Sequence, residues 1–154
     1  MNRFTLYAKQ VATLGSVGYM PAPGTMATLC AALLLIPLKG LIHVFSITLW
    51  TEFWALCVVT LIGYLIIRQA LKQLGWVHDP RQIVLDEVIG CWWSFWGVTL
   101  TFGSLVLGIV LFRVFDIAKP WLIGYAERIP GAWGVLLDDC CAGLATMLLL
   151  RIWY

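Results

Sequence analysis

Five carboxylates stand at the ends of long apolar segments, in a chain where ionised groups are scarce. They are Asp86, Glu87, Asp116, Asp138 and Asp139. Only 12% of the residues are charged, and seven of the eight acids fall in the second half of the chain. Because an ionised group beside hydrocarbon is costly, it is usually kept for metal binding, proton transfer or an ion path. These acids therefore mark the segments where we expect chemistry.

Adjacent carboxylates in two separate segments are typical of a divalent-cation site. Burying four or five carboxylates together without a counter-charge would be prohibitive. Hard cations bind oxygen ligands, and Mg²⁺ uses few carboxylates together with water and substrate phosphate. Simpler interpretations exist: Asp86 and Glu87 as a solvated helix start, and Asp138 and Asp139 as acids at the positive end of a helix dipole.

Basic residues and a helix start lie near these acids in the sequence. Helical spacing predicts that Arg113, Asp116 and Lys119 share one face. Such a face is either a salt-bridged helix end or a phosphate clamp, since guanidinium matches phosphate oxygens. Gly24 and Thr25 open the first apolar segment, with Thr25 as the expected cap. Free backbone N–H groups at a helix start bind anions.

The composition indicates an integral membrane protein. Hydrophobic residues make up 62% of the chain, and the mean hydropathy is +0.91, far above a soluble domain. The length suits one domain over residues 1–154. A net charge of +2 without a basic stripe excludes a nucleic-acid partner. Five Cys, an odd number, indicate small buried hydrophobes and no disulfide framework.

The apolar pattern predicts an all-α membrane bundle of four to five membrane helices, preceded by a short interfacial helix. The segments run over about 26–38, 44–67, 83–100, 104–115 and 134–153. Pro37 and Gly40 mark a turn after the first segment. Phe4, Tyr7 and Val11 lie on one helical face, which suits a helix on an anionic membrane surface.

The uncharged stretch Val88–Phe112 admits two interpretations. As one spanning helix, it would set Asp86 and Asp116 roughly 45 Å apart on opposite sides. As a hairpin broken near 99–104, it returns both ends to one face. Positive residues flank the stretch on both sides, so the positive-inside rule favours the hairpin. In that layout every acidic cluster lies at the cytoplasmic face.

The segment before Asp86 reads as a helix start. Asp79 is the expected cap, Pro80 suits the first turn, and Gln82 completes a capping box. Asp86 would then share a face with Asp79. His78 stays without an assigned role.

Four sequence blocks identify a family. They are Pro-Gly-Thr-Met at 23–26, Ile-Val-Leu-Asp-Glu-Val-Ile-Gly at 83–90, Phe-Arg-Val-Phe-Asp-Ile-Ala-Lys-Pro-Trp at 112–121 and Gly-Val-Leu-Leu-Asp-Asp-Cys-Cys-Ala-Gly at 134–143. Together they resemble phosphatidylglycerophosphatase A, a family of bacterial membrane lipid phosphatases. The resemblance covers nearly the whole chain from about residue 12. Departures such as Leu122 and Glu127 affect only the expected shape of the 120–133 loop.

The resemblance implies Mg²⁺-dependent removal of the terminal phosphate from phosphatidylglycerophosphate, giving phosphatidylglycerol, at the cytoplasmic face of the bacterial inner membrane. On this basis we predict metal ligands for one or two Mg²⁺ at Asp86, Glu87, Asp138 and Asp139. Catalytic roles fall to Asp86, Asp116 and Asp139.

The remaining predicted roles concern the substrate phosphate. Arg113 and Lys119 neutralise the phosphomonoester, and Gly24 and Thr25 offer backbone or hydroxyl donors. Asp116 orients the basic pair, ligates metal or acts as the base. An attacking water and a carboxylate nucleophile both remain open.

A small ion-coupled transporter or channel is the alternative from another class, because membrane acids also bind transported ions. Against it, the acids gather at one face with Arg113 and Lys119 and do not line a path across the bilayer.

Overall fold

The computed structural model describes residues 3–75 and 80–154, with side chains described from residue 7. Within these residues the chain forms seven α-helices and no β-strand, which confirms the all-α prediction. The helices are α1 Arg3–Ala12, α2 Pro23–Val44, α3 Leu49–Gln73, α4 Leu85–Ser94, α5 Phe102–Ala118, α6 Leu122–Glu127 and α7 Ala132–Trp153. The predicted cap at Asp79 and the unassigned His78 lie outside the described residues.

Among the described helices, α2 and α3 are long and apolar enough to cross a membrane. They have 22 and 25 residues, and about 20 apolar residues span the hydrocarbon. Large apolar side chains on both stay mostly exposed, such as Leu33 at 68% and Trp54 at 63%. The described structure thus gives two candidate spans, compared with the four to five membrane helices that the sequence pattern predicts.

Helix α2 does not end at Pro37, so the predicted turn there is wrong. The helix continues to Val44 and ends where the Phe45 N–H donates to the Leu41 carbonyl at 2.9 Å. A proline inside a helix removes one backbone hydrogen bond, and apolar membrane helices tolerate this loss. The apolar residues after Pro37 extend the helix by two turns.

The stretch Val88–Phe112 is broken between α4 and α5, as the hairpin interpretation predicts. Thr101 caps α5: its Oγ1 accepts from the Ser104 N–H at 3.1 Å, and Ser104 Oγ accepts from the Thr101 N–H at 2.8 Å. This reciprocal capping box satisfies two backbone donors that the broken helix leaves free. A single spanning helix is therefore excluded.

Helix α4 begins at Leu85, later than the capping pattern after Asp79 predicts. Residues 80–84 form a turn, in which the Ile83 N–H donates to the Pro80 carbonyl at 2.8 Å. The Val84 N–H donates to the Ala12 carbonyl at 2.9 Å, so α1 takes the donor that a longer α4 would use. A contact distant in sequence overrides the local helix signal here.

The closest helix packing lies between α4 and α7. A Cβ added to Gly90 would lie 2.6 Å from the Asp139 carbonyl oxygen, and one added to Gly143 would overlap the Gly90 carbonyl. The two backbones are therefore in direct contact, as small residues permit. This crossing sets Asp139 of α7 against Gly90 of α4, one turn after Asp86 and Glu87.

Candidate active site

Helix α4 presents two acids at its N-terminal end. Val84 is the N-cap, so Asp86 and Glu87 occupy the second and third helical positions. Carboxylates there are stabilised by the positive end of the helix dipole. Asp86 is buried, at 4% exposure, and Glu87 is half-buried.

Helix α7 supplies a third acid to the same place. Asp139 is 3% exposed, and its backbone lies against Gly90 at the helix crossing. Asp86, Glu87 and Asp139 each offer a carboxylate oxygen, and these oxygens lie within 4.8 Å of one another. The structure therefore brings together acids that are more than fifty residues apart in the sequence.

This donor set fits a hard divalent cation. Glu87 Oε2 and Asp139 Oδ1 are buried and accept no hydrogen bond from the residues that the structure describes. Buried carboxylate oxygens without donors are costly, and neighbouring negative charges repel. An ion such as Mg²⁺ takes oxygen ligands of this kind, so the residues present match its requirements.

Asp138, the fourth predicted metal ligand, lies beside a different partner. Its Oδ2 accepts from Lys119 Nζ at 2.7 Å, and its Oδ1 accepts from the Asp139 N–H at 3.0 Å. The group of three carboxylates does not include it. Asp138 thus lies next to the three-carboxylate group, and both of its carboxylate oxygens accept hydrogen bonds.

Lys119 lies between two helices because α5 stops one residue before it. It is the C-cap, with left-handed backbone angles (φ 44°, ψ 53°). Its Nζ donates to Asp138 and to Glu127 Oε1, the latter at 2.8 Å. The predicted face shared by Arg113, Asp116 and Lys119 is therefore wrong for Lys119, which has left the helix and turned towards α6 and α7.

The surroundings of Lys119 hold it in its charged form. Burial by itself lowers the pKa of this amine, but the hydrogen bonds to Asp138 and Glu127 outweigh that effect and keep the pKa above its ordinary value. Lys119 therefore stays cationic over the physiological pH range. Glu127 is the residue here that the sequence analysis did not assign, since no local pattern links it to Lys119.

Arg113 and Asp116 form the ion pair that their spacing predicts. Arg113 Nη1 donates to Asp116 Oδ2 at 2.5 Å. Asp116 is close enough to Glu87 and Asp139 to act on both electrostatically, and Arg113 acts on Glu87 in the same way. Helix α5 thus brings Asp116 and Arg113 close to the three-carboxylate group.

The start of α2 completes this end of the molecule. A Cβ on Gly24 would lie 3.0 Å from Arg113 Nη1 and would overlap Glu87 Oε1. The α2 backbone therefore lies directly against both side chains, and a larger residue at this position would have to displace them. The predicted cap at Thr25 is wrong: Ala22 is the N-cap, with left-handed φ of 51°, and Thr25 is exposed in the first turn.

The charges at this site do not balance. Among the residues that the structure describes, six carboxylates gather around two cationic side chains, Arg113 and Lys119, if Glu127 and Asp138 are counted with the others. A phosphomonoester carries further negative charge and would be repelled. The arrangement can therefore accept a phosphate only when cations offset the carboxylates.

Comparisons with known proteins show which family the chain resembles. The family model described as Phosphatidylglycerophosphatase A matches residues 10–154. A Bacteroides thetaiotaomicron protein named "Putative phosphatidylinositol-3-phosphatase" is 33% identical over 140 residues, covering 88% of this chain and 86% of its own length.

Two further relatives carry the family name. The Phosphatidylglycerophosphatase A of Escherichia coli (strain K12) is 35% identical over 124 residues, covering 79% of this chain and 68% of its own. That of Haemophilus influenzae is 32% identical over 126 residues, covering 80% and 74%. No solved structure matches the chain significantly.

Proposed function

Because the chain belongs to the phosphatidylglycerophosphatase A family, and is therefore a phosphatase, we propose that it hydrolyses the terminal phosphomonoester of phosphatidylglycerophosphate. The products are phosphatidylglycerol and inorganic phosphate, so the reaction belongs to phospholipid biosynthesis. The observation that carries this proposal is the convergence of Asp86, Glu87 and Asp139, with Arg113 beside Glu87.

The proposed cofactor is Mg²⁺, held by Asp86, Glu87 and Asp139, with Asp138 as the further ligand that the sequence predicts. When bound, such an ion polarises the phosphoryl group and lowers the pKa of a coordinated water. The three-carboxylate group supports this assignment, as do Glu87 Oε2 and Asp139 Oδ1, which accept no hydrogen bond within the described residues.

The chain's own cationic groups bind and orient the phosphate. Arg113 offers the guanidinium fork that matches two phosphate oxygens, and Asp116 holds that fork in place. Lys119 donates to Asp138 and Glu127, which leaves its third N–H for the substrate. Gly24 adds a backbone N–H from the first turn of α2, where intrahelical acceptors are lacking.

Two routes to phosphorus–oxygen cleavage differ in one observable. If water attacks, Asp116 is placed to take its proton, since it lies near Glu87 and Asp139. If a carboxylate attacks, phosphate is transiently bound to the protein. Acid-quenched enzyme incubated with ³²P-labelled substrate retains label on the chain only by the carboxylate route.

The proposed location is the bacterial inner membrane, as a multi-pass protein with this site facing the cytoplasm. Two apolar helices of spanning length support membrane association. The substrate is itself a membrane lipid, so a site at one end of these helices lies at headgroup depth.

The decisive assay is phosphate release by the purified protein in detergent. We expect release from phosphatidylglycerophosphate with Mg²⁺, its loss with EDTA, and its return when Mg²⁺ is restored. Phosphatidylinositol 3-phosphate is the control substrate, because the Bacteroides relative is named for it. No phosphate from either lipid would favour the transporter or channel alternative, in which the acids bind a transported ion.

A further inference from the structure

A second site lies at the opposite end of the molecule from the carboxylates. It is a cavity of about 710 Å³ between the end of α2, the start of α3 and the α4–α5 connection. Helix α2 begins at the carboxylate site, and its residues from Ile36 to His43 line the cavity, so this wall lies roughly 18 to 29 Å from Gly24 along the helix axis. The His43 end of the wall is thus about one hydrocarbon thickness from the carboxylates. The volume is in the usual range for ligand sites.

A buried ion pair stands in the wall of this cavity. Lys39 on α2 and Glu52 on α3 are paired, and their side chains are 12% and 10% exposed. Among the described residues, Glu52 Oε2 accepts one long hydrogen bond, from the Gly97 N–H at 3.4 Å. Within residues 3–75 and 80–154, Lys39 donates one hydrogen bond, although an ammonium group carries three donors.

Both members of the pair line the cavity, so their remaining donors and acceptors can bond a ligand there. A buried ion pair is stable when further hydrogen bonds satisfy its remaining donors and acceptors. The rest of the wall is amphipathic, with His43 and Ser46 among its polar members and Ile36 and Leu100 among its apolar ones. A ligand that fits must be polar at one end and apolar at the other.

We propose that this cavity binds the headgroup of a zwitterionic phospholipid of the phosphoethanolamine type. Lys39 and Glu52 together are neutral, so a ligand with one phosphate and one ammonium leaves no charge uncompensated. The phosphate lies against Lys39 and the ammonium against Glu52. A purely anionic headgroup would meet Glu52 without a counter-charge. The acyl chains leave along the exposed apolar face of α3, which includes Trp50 and Trp54.

Gly40 provides a direct test, because it lines the cavity and a Cβ added there meets nothing within 4 Å. Gly40→Trp fills the cavity and leaves the ion pair in place. Its neighbour Leu41 is exposed and is not among the lining residues, so Leu41→Trp is the matched control.

Native mass spectrometry of the detergent-purified protein measures binding of added phosphatidylethanolamine and of phosphatidylglycerol. We expect phosphatidylethanolamine affinity to fall about tenfold or more in Gly40→Trp and to stay unchanged in Leu41→Trp. Equal affinities in the two variants would overturn the proposal. Equal binding of both lipids by the wild-type protein would also overturn it, because the ion pair would then give no preference for a zwitterionic headgroup.

A second variant keeps the test independent of any effect of Trp on folding. Lys39→Met with Glu52→Gln removes both charges at nearly constant volume, and we expect it to bind the two lipids equally. Retained preference for phosphatidylethanolamine would refute the role of the pair. Phosphate release by Gly40→Trp should equal that of the wild type. The lipid-binding proposal and the phosphatase proposal can therefore be refuted independently of each other.

Discussion

Asp139 has two roles in the structure: its backbone packs against Gly90 where α4 and α7 cross, and its carboxylate belongs to the three-carboxylate group. Asp139→Asn removes one anionic oxygen from the three-carboxylate group, and we expect phosphate release to fall by about 10³-fold, or ~4 kcal/mol of transition-state stabilisation. The metal-free variant should also unfold at a higher temperature than the metal-free wild type, because a repulsive buried charge is gone. Wild-type turnover in a membrane-inserted variant would remove Asp139 from the site.

Lys119 should act on substrate binding more than on the metal. Its Nζ bonds Glu127 and Asp138, and Asp138 is the residue next to Asp139 in the chain. For Lys119→Ala we expect a KM raised by about tenfold, because one charge-assisted phosphate contact is lost, with little change in the Mg²⁺ concentration for half-activity. Lys72→Ala, at the exposed end of α3, is the matched control. A changed metal requirement with unchanged KM would contradict the assignment.

Cys140 adjoins Asp139 in the chain, yet the proposed chemistry does not use its thiol. It is buried at 6% exposure among apolar side chains of the core. Cys140→Ser should therefore keep its turnover, with a loss of thermal stability from burying a hydroxyl in place of a thiol. Loss of activity without unfolding would point to a thiol mechanism.

At the scale of elements, the crossing of α4 and α7 decides whether the acids meet. Gly143→Ala places a methyl group on the Gly90 carbonyl, so the helices must separate. We expect ~1–3 kcal/mol of destabilisation, as for other overpacked contacts, together with a reduced apparent Mg²⁺ affinity. Gly40→Ala is the control, since its Cβ meets open space. Equal metal affinity in both variants would contradict the claim that this crossing builds the site.

The sequence predicts those elements whose signals are local. The hairpin break is predicted from the positive residues that flank Val88–Phe112, and Thr101 and Ser104, three residues apart, form the cap of α5 there. The start of α4 cannot be predicted from local sequence, because the Val84 N–H donates to the carbonyl of Ala12, some seventy residues earlier. Pro37 leads to a wrong prediction because a helix in apolar surroundings continues through a proline at which a helix in water would end.

The site divides in the same way. Asp86, Glu87 and Asp139 are identifiable as acids in apolar segments, and their convergence follows once the hairpin is assumed. The ion pairs of Lys119 depend on a left-handed C-cap and on α6, which no local spacing reveals. Glu127 was therefore missed as a partner.

At the scale of the whole molecule, the proposed orientation puts the carboxylate end in the cytoplasm and the Lys39–Glu52 cavity at the other face. Cysteines introduced in a background without the five native ones report this directly. In intact spheroplasts, an impermeant maleimide should label Ser46→Cys, in the α2–α3 connection, and should label Thr25→Cys only after permeabilisation. Both positions are exposed. The reverse pattern would invert the orientation.

The central claim is that Asp86, Glu87 and Asp139 share one divalent cation. Electron paramagnetic resonance of Mn²⁺, an oxygen-preferring substitute for Mg²⁺, measures its binding to the metal-free protein in detergent. The account predicts a bound signal that Mg²⁺ displaces and that weakens by an order of magnitude or more in each of Asp86→Asn, Glu87→Gln and Asp139→Asn. Wild-type Mn²⁺ affinity in any one of these variants would contradict it.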